Sequence, residues 1–349
     1  MTEIERVKTQ ILRVLAKKPS TFWELINFQD SHIITFLNAI KELLKEKKIE
    51  YKKPYFFLTI SEGIKEYEDP GCLFCNPFSN NQFWQNIKNK FLELIKGRPL
   101  PTSDFDQGFI RPEDTLKRTA FIYLRGDLEN REIFILGDDD LISLSMALTG
   151  LPKRIVVVEI DERINSFLRE KAKEIGFENL EIYNYNVLDA LPKELEKRFD
   201  VFVTDPVETK KGLKLFVARC ISALKGPGCA GYMGFTHREA SLQKWYDFEK
   251  FLIESGFVIT DILRDFTIYP EKDNSWEEFY KTYRIMEEFD LELPNVDWYK
   301  SCFVRYEVIE GPKVLQIDPP KDFRELYFDE EAWATPLPSY LQQFNKKGE

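Results

Sequence analysis

Histidine is almost missing from this chain: His32 and His237 are the only two in 349 residues. Cys72-Leu73-Phe74-Cys75 has the spacing of half a tetrahedral metal site, but no second cysteine pair follows it. Within one chain the pair therefore reads as structural, and sharing across a dimer is the remaining way to complete a site. The five cysteines are odd in number and irregularly spaced, which excludes a disulfide framework and suits a reducing compartment. No apolar run approaches the length of a membrane span, and Met1-Thr2-Glu3-Ile4-Glu5-Arg6 has no basic-then-apolar signal pattern. A cytoplasmic protein without a membrane partner is expected. Positive charge is in deficit as well: 49 Lys and Arg face 59 Asp and Glu, a formal net charge of -10. That balance disfavours wrapping of nucleic acid and favours cationic ligands.

What is present supports packed cores: 43% of residues are hydrophobic and 14% aromatic, and the length calls for two domains. Heavy use of Lys and Glu fits a thermophile. Residues 1–68 read as helix, short helix, longer helix and strand pair, the order of a winged-helix-like domain. Ile11, Leu12 and Leu15 share one face of the first helix. Ile33, Phe36, Leu37, Ile40, Leu43 and Leu44 stripe the third, with N-caps expected at Thr21 and at Asp30 or Ser31. Lys41, Lys45, Lys47 and Lys48 could follow a DNA backbone, but Glu42 and Glu46 alternate with them. A solvated face on a module that dimerises or caps an active site is the preferred reading. Residues 69–110 form a turn-rich linker and a helix.

Across residues 111–317 strands alternate with helices, which implies a parallel sheet covered on both faces. Strands are expected at 132–136, 154–159, 180–185, 199–204 and 229–235, with later ones at 257–263 and 302–309. The run Ile155-Val156-Val157-Val158 is what burial on both faces demands. The fold class is α/β, a class I methyltransferase-like (Rossmann-like) domain behind the winged-helix-like front. Trp276, Phe279, Tyr280 and Tyr283 mark an aromatic, charged stretch before the last strand. Residues 318–349, with Pro319, Pro320, Pro336 and Pro338, read as a C-terminal tail or flap.

In such sheets ligands collect at the carboxyl ends of the strands, and here those ends are acidic. The first strand runs into Gly137-Asp138-Asp139-Asp140, where nucleotide-binding folds carry a glycine-rich turn. Three consecutive carboxylates repel a pyrophosphate and one another unless a cation is close, which argues against NAD and ATP and for a sulfonium, an amine or a metal. An acidic helix start accounts for one or two of them through the helix dipole, less well for three. Glu159, in Glu159-Ile160-Asp161-Glu162, stands where a carboxylate accepts ribose hydroxyls, while Asp161 and Glu162 can cap the next helix. Asp189, after the third strand, is placed to accept an adenine amino group. Asp205-Pro206-Val207-Glu208-Thr209 follows the fourth, and its proline can aim Asp205 and Glu208 over the sheet edge.

These three acidic segments, with Asp106-Gln107 upstream, resemble the branched-chain polyamine synthases, the aminopropyltransferases that make N4-bis(aminopropyl)spermidine. The triple-Asp turn is the most specific element. The pattern departs at Val207, where a proline is expected, and linear spermidine synthases differ in a glycine-rich first turn. The resemblance implies two transfers of an aminopropyl group from decarboxylated S-adenosylmethionine to N4 of spermidine. No permanently bound cofactor and no metal are implied, and a homodimer is expected.

On that reading Asp139, Asp138 and Asp205 are the catalytic candidates, Asp139 being the base. Gly137, Asp140, Glu159, Asp189 and Gln107 are assigned to the cofactor, and Asp205, Glu208 and Asp138 to the acceptor. Gln107 and Tyr232 are weaker candidates on the acceptor side, and Trp245 is assigned to the core. A proton-accepting carboxylate suits this chemistry because a protonated amine has no lone pair with which to attack. The competing readings are an S-adenosylmethionine-dependent methyltransferase and a winged-helix DNA-binding regulator.

Overall fold

The computed structural model describes residues 2–270, 277–289 and 291–341. Trp276 and the part of the expected flap beyond Leu341 lie outside them. The chain divides into two compact units, one of residues 1–87 with 119–129 and one of 88–118 with 130–349. These do not coincide with the segments read from the sequence. A stretch of helix between Thr119 and Glu129 joins the front unit although it lies far along the chain.

In the first unit α1 (Glu3–Lys17), β1 (Ser20–Thr21), α2 (Phe22–Ile26), α3 (Ile33–Lys45), β2 (Ile49–Lys52) and β3 (Tyr55–Leu58) succeed one another, and the strands form an antiparallel sheet in the order β1-β3-β2. Thr21 begins α2 with a capping box, accepting from the Glu24 amide at 3.2 Å while the Glu24 carboxylate accepts from the Thr21 amide at 2.7 Å. The cap of α3 is His32, whose Nδ1 accepts from the Ile34 amide at 3.2 Å. Asp30, expected there, is taken by Arg6 at 2.6 Å. Phe36, Ala39, Ile40 and Leu43 are the buried stripe of α3, whereas Ile33 and Leu44 face outward. Lys48 pairs with Glu46 at 2.9 Å. Cys72 and Cys75 are exposed and unbridged.

Helices α4 (Gln82–Leu94) and α5 (Pro112–Leu124) lead to β4 (Glu132–Leu136), α6 (Ile142–Thr149), β5 (Arg154–Glu159), α7 (Glu162–Ile175) and β6 (Leu180–Asn184). There follow β7 (Val201–Thr204), α8 (Lys210–Ala223), β8 (Ala230–Phe235), α9 (Leu242–Glu254) and β9 (Phe257–Ile268). The short helices α10 (Glu277–Tyr280) and α11 (Arg284–Phe289), then β10 (Lys300–Val308) and α12 (Phe323–Tyr327), complete the second unit. Its seven strands lie in the order β6-β5-β4-β7-β8-β10-β9. β4 to β8 pair in parallel, and β10 runs antiparallel to both β8 and β9. Every residue of β7 and β8 is buried, as a sheet covered on both faces requires. The strand order reverses direction at β4 and β7, which opens a crevice between their carboxyl ends.

β9 is five residues longer than its alternating pattern predicts. Arg264-Asp265 interrupts the alternation, but Asp265 takes a left-handed φ of 51° near a register shift against β10, and the strand resumes at Phe266. The tail is not a detached flap over its described length. Leu326 and Tyr327 belong to the main core, and Thr209, the N-cap of α8, donates from Oγ1 to the Leu326 carbonyl at 2.6 Å. Among the described residues no helix is long and apolar enough to cross a membrane.

Gly231, in the middle of β8, has no room for a side chain: a Cβ would stand 2.4 Å from the Phe202 ring and 2.5 Å from the Tyr306 ring. Gly231→Ala is expected to lower stability by roughly 1–3 kcal/mol through overpacking, read as a lower Tm; an unchanged Tm would show that these rings yield freely.

Candidate active site

The carboxyl ends of β4, β5, β6 and β7 open on a cavity of about 1100 Å³, its open mouth included, which also takes walls from the loop before α5 and from the tail. Seven carboxyl groups line it: Asp106, Asp139, Asp140, Glu159, Asp205, Glu208 and Glu239.

The turn after β4 separates its three aspartates. Gly137 takes a left-handed φ of 77° and Leu141 one of 57°, so the chain doubles back at both ends of the acidic run. Asp138 points away from the cavity into the start of α6, where Oδ1 accepts from the Ser143 amide at 3.3 Å and Oδ2 meets the Ser143 hydroxyl. Burial pushes its carboxyl up to about 8, against the pull of those two Ser143 bonds. Tied to Ser143 in the first turn of α6 and absent from the cavity lining, it serves the scaffold, which corrects the expectation that it faces the reacting groups. Asp139 faces the cavity, half-buried, and its side chain has no hydrogen bond or ion pair among the described residues. Burial, then the charges of Asp140, Glu159 and Asp205, hold its carboxyl well above the usual range.

Asp140 and Asp205 share one buried guanidinium. Arg118 Nη1 lies 2.8 Å from Asp205 Oδ2 and 3.3 Å from Asp140 Oδ2. Its Nε donates to Thr267 Oγ1 at 3.1 Å and Nη2 to Ser301 Oγ at 3.4 Å. The Ile110 amide donates to Asp140 at 3.0 Å and the Tyr269 hydroxyl to Asp205 at 3.0 Å. Burial raises Asp140 to about 6, with Arg118 opposing the rise. The close fit of Asp205 depends on Gly234, since a Cβ there would lie 2.0 Å from Asp205 Oδ1.

Glu159, buried at the end of β5, accepts from the Asp138 amide at 2.9 Å and the Asp161 amide at 2.8 Å, so it ties the first two strand ends together. Gln107 lines the cavity and donates to Asp161 Oδ2 at 3.0 Å. Glu208 faces the cavity with no hydrogen bond or ion pair among the described residues, and burial followed by Glu239 and Asp205 pushes its carboxyl far up. Asp189 is exposed and does not line the cavity, whereas its neighbours Asn186 and Val187 do. Its backbone carbonyl, in the turn after β6, accepts from the Tyr185 hydroxyl at 2.9 Å. Tyr232 also lies away from the cavity, inside the sheet, where its hydroxyl accepts from Arg305 Nε at 3.0 Å. Trp245 is core, stacked on Phe235 at 4.2 Å and on His237 at 4.3 Å.

Several contributors carried little sequence signal. Asp106 sits after a single 3-10 turn in a left-handed φ of 52°, faces the cavity with no side-chain partner among the described residues, and is raised by burial and Glu239. Glu239 is fully used: the Tyr299 hydroxyl donates to it at 2.7 Å, Thr335 Oγ1 at 2.9 Å and the Ala334 amide at 3.1 Å. Tyr269, Tyr299 and Tyr327 are brought in by the late strands and tail. Among the described residues no group of three His, Cys, Asp or Glu is arranged to hold a metal ion.

The strand order with an antiparallel β10 beside β8 defines a class I methyltransferase-like Rossmann domain, and the acidic strand ends define one whose site is built for cations. The model of the branched-chain polyamine synthase A C-terminal domain matches residues 86–334. The N(4)-bis(aminopropyl)spermidine synthase of Thermococcus kodakarensis is 44% identical over 276 residues, 78% of this chain and 77% of that protein. The protein of the same description from Methanocaldococcus jannaschii is 34% identical over 95% of this chain and 94% of its own. Among solved structures, the C9 mutein of the Thermus thermophilus branched-chain polyamine synthase, in complex with N4-aminopropylspermidine and 5'-methylthioadenosine, aligns with a TM-score of 0.68 at 34% identity, covering 95% of this chain and 93% of that one. This chain belongs to the branched-chain polyamine synthase family.

The raised carboxyl of Asp138 gives a pH signature. Folded, it keeps a proton that an unfolded aspartate releases near pH ~4, so its contribution to stability is full below that pH and fades as pH rises toward about 8. Asp138→Asn keeps the bonds to Ser143 in an uncharged form and removes this dependence. The stability of the variant relative to the parent is expected to improve steadily between pH 5 and 8 in urea unfolding; a constant difference would mean that Asp138 is ionised in the folded protein throughout.

Proposed function

We propose that this chain moves aminopropyl groups from decarboxylated S-adenosylmethionine to N4 of spermidine, forming N4-aminopropylspermidine and then N4-bis(aminopropyl)spermidine, with one methylthioadenosine released per transfer. The observation that carries this reading is that Asp106, Asp139 and Glu208 turn into one cavity with no side-chain partner among the described residues. Buried carboxylates are stable as anions only with a counter-charge, and a polyamine beside a sulfonium supplies several. The names of the relatives and the product complex of the Thermus thermophilus structure support the same substrates.

Each transfer begins with N4 as an ammonium. It gives its proton to Asp139, and the freed lone pair attacks the propyl carbon attached to sulfur. The N–C bond forms, the C–S bond breaks, and its electron pair stays on sulfur as methylthioadenosine. The first product is a tertiary ammonium; repeating the sequence gives a quaternary one, so one proton leaves per transfer. Asp205 and Asp140, fixed by Arg118, support the charge at the reacting centre, and Glu208 with Asp106 holds a terminal ammonium of the acceptor. Glu159 and Gln107 stand at the ribose end of the donor, and Asn186 and Val187 at its adenine end. The donor lacks the carboxylate of S-adenosylmethionine, which this acidic wall would repel.

Mass spectrometry of the protein with decarboxylated S-adenosylmethionine and spermidine is expected to show methylthioadenosine and a branched adduct. Asp139→Asn should lower kcat by about 100-fold or more, the usual worth of a general base. Glu208→Gln should raise the spermidine KM by roughly tenfold, as loss of a charge-assisted hydrogen bond does. A folded protein that makes no adduct, or that methylates the acceptor from S-adenosylmethionine, would overturn the assignment.

A further inference from the structure

Arg98 lies just past α4, behind the acidic turn rather than in the cavity wall. Its guanidinium is stacked on the ring of Phe109, 3.3 Å from the centroid, and Nη2 donates to the backbone carbonyl of Asp139 at 3.0 Å. Nε is buried without a hydrogen-bond partner among the described residues. A guanidinium makes up to five hydrogen bonds, so one that leaves buried Nε unused is held here for something other than its hydrogen-bond count. Burial disfavours its charge, and Asp140, Asp139 and Asp138 favour it. The carbonyl that Arg98 grips belongs to the residue whose side chain must face the substrate, in a turn whose ends already require left-handed backbone at Gly137 and Leu141.

We propose that Arg98 is a positioning residue for aminopropyl transfer: wedged between Phe109 and the Asp139 carbonyl, it locks the acidic turn with the Asp139 side chain facing the cavity and places a buried positive charge behind the carboxylates. The inference rests on the reading of Asp139 as the base. Asp140, Glu159 and Asp205 face Asp139 and favour its protonated form, while Arg98 opposes them. Arg118 is committed to Asp140 and Asp205, so Arg98 and Arg118 divide the acidic wall between them.

The test is the pH profile of kcat with decarboxylated S-adenosylmethionine and spermidine for the parent, Arg98→Met, Arg98→Lys and Phe109→Leu, with binding of methylthioadenosine as a second readout. Without the charge, Asp139 takes its proton more readily, so the acidic limb of Arg98→Met moves to higher pH and kcat at pH 6 falls by roughly tenfold, as loss of a buried opposite charge beside the turn implies. Arg98→Lys keeps the limb in place but loses kcat at every pH, because an ammonium cannot stack and grip in the same way. Methylthioadenosine binding changes by less than about twofold, since the groups at the nucleoside end do not touch Arg98. Phe109→Leu loosens the wedge without altering charge and shifts the limb in the same direction by less; it decides the matter if Arg98→Met does not fold. An acidic limb that stays where the parent has it in both Arg98→Met and Phe109→Leu would overturn the inference while leaving the proposed reaction intact. Absence of transfer by the parent would instead overturn the reaction.

Discussion

Crowded negative charge is the constraint around which the second unit is arranged. Seven carboxyl groups line one cavity. Like charges at such range disfavour one another, and burial disfavours any unmatched charge, so the wall is tolerable only if each acid is matched, protonated or waiting for a cation. The structure matches some of these acids and leaves others open. Arg118 pairs with both Asp140 and Asp205, and Glu159 and Glu239 are satisfied by amides and hydroxyls. Among the described residues Asp106, Asp139 and Glu208 have none of these partners, and protonation or a cationic ligand must offset their burial.

The same arrangement explains why a glycine-rich turn is dispensable here. In nucleotide-binding folds glycine lets the backbone approach a phosphate. A sulfonium and an amine need anions instead, and the turn after β4 provides them while keeping left-handed backbone at Gly137 and at Leu141, a residue that must be held there by its surroundings. Leu141 is fully buried. Asp138 secures α6 through Ser143, and the Asp138 amide is bound by Glu159 from the neighbouring strand. The acidic motif is thus partly scaffold and partly surface.

This division shows what could be read from residues alone. β4 and β5, with α7, fall where continuous apolar runs and the 3.6-residue period put them, because burial on both faces leaves no freedom. The acids at the ends of β4, β5 and β7 were legible for the same reason: a parallel sheet fixes where its ligands collect. Their individual directions were not. Three adjacent aspartates look equivalent in sequence, yet a turn sends neighbours to opposite sides, which is why Asp138 is tied to Ser143 in the first turn of α6 while Asp139 faces the cavity. Asp189 failed differently, since its place depends on the local turn after β6 rather than on the sheet. Arg118 was invisible because an arginine within an amphipathic helix reads as surface; only the folded chain brings Asp140 and Asp205 to it. Tyr269 and Tyr299 arrive through β9 and β10, distant in sequence and carrying no motif.

Protonation links the wall to the order of events in the proposed reaction. Burial and the neighbouring acids favour the protonated form of Asp139, and a group that is to accept a proton needs something that favours its ionised form instead. The donor brings a sulfonium and an ammonium, and either charge beside Asp139 or Glu208 favours the ionised form, just as Arg118 does for Asp140. Binding of the donor therefore releases protons from the wall and creates the carboxylate that the acceptor amine then needs. The relation is reciprocal: whatever favours ionisation of the wall also tightens its hold on cations. In the proposed reaction the ionised carboxylate is thus favoured chiefly when the cavity contains the electrophile, so the anion is present when there is a carbon to transfer.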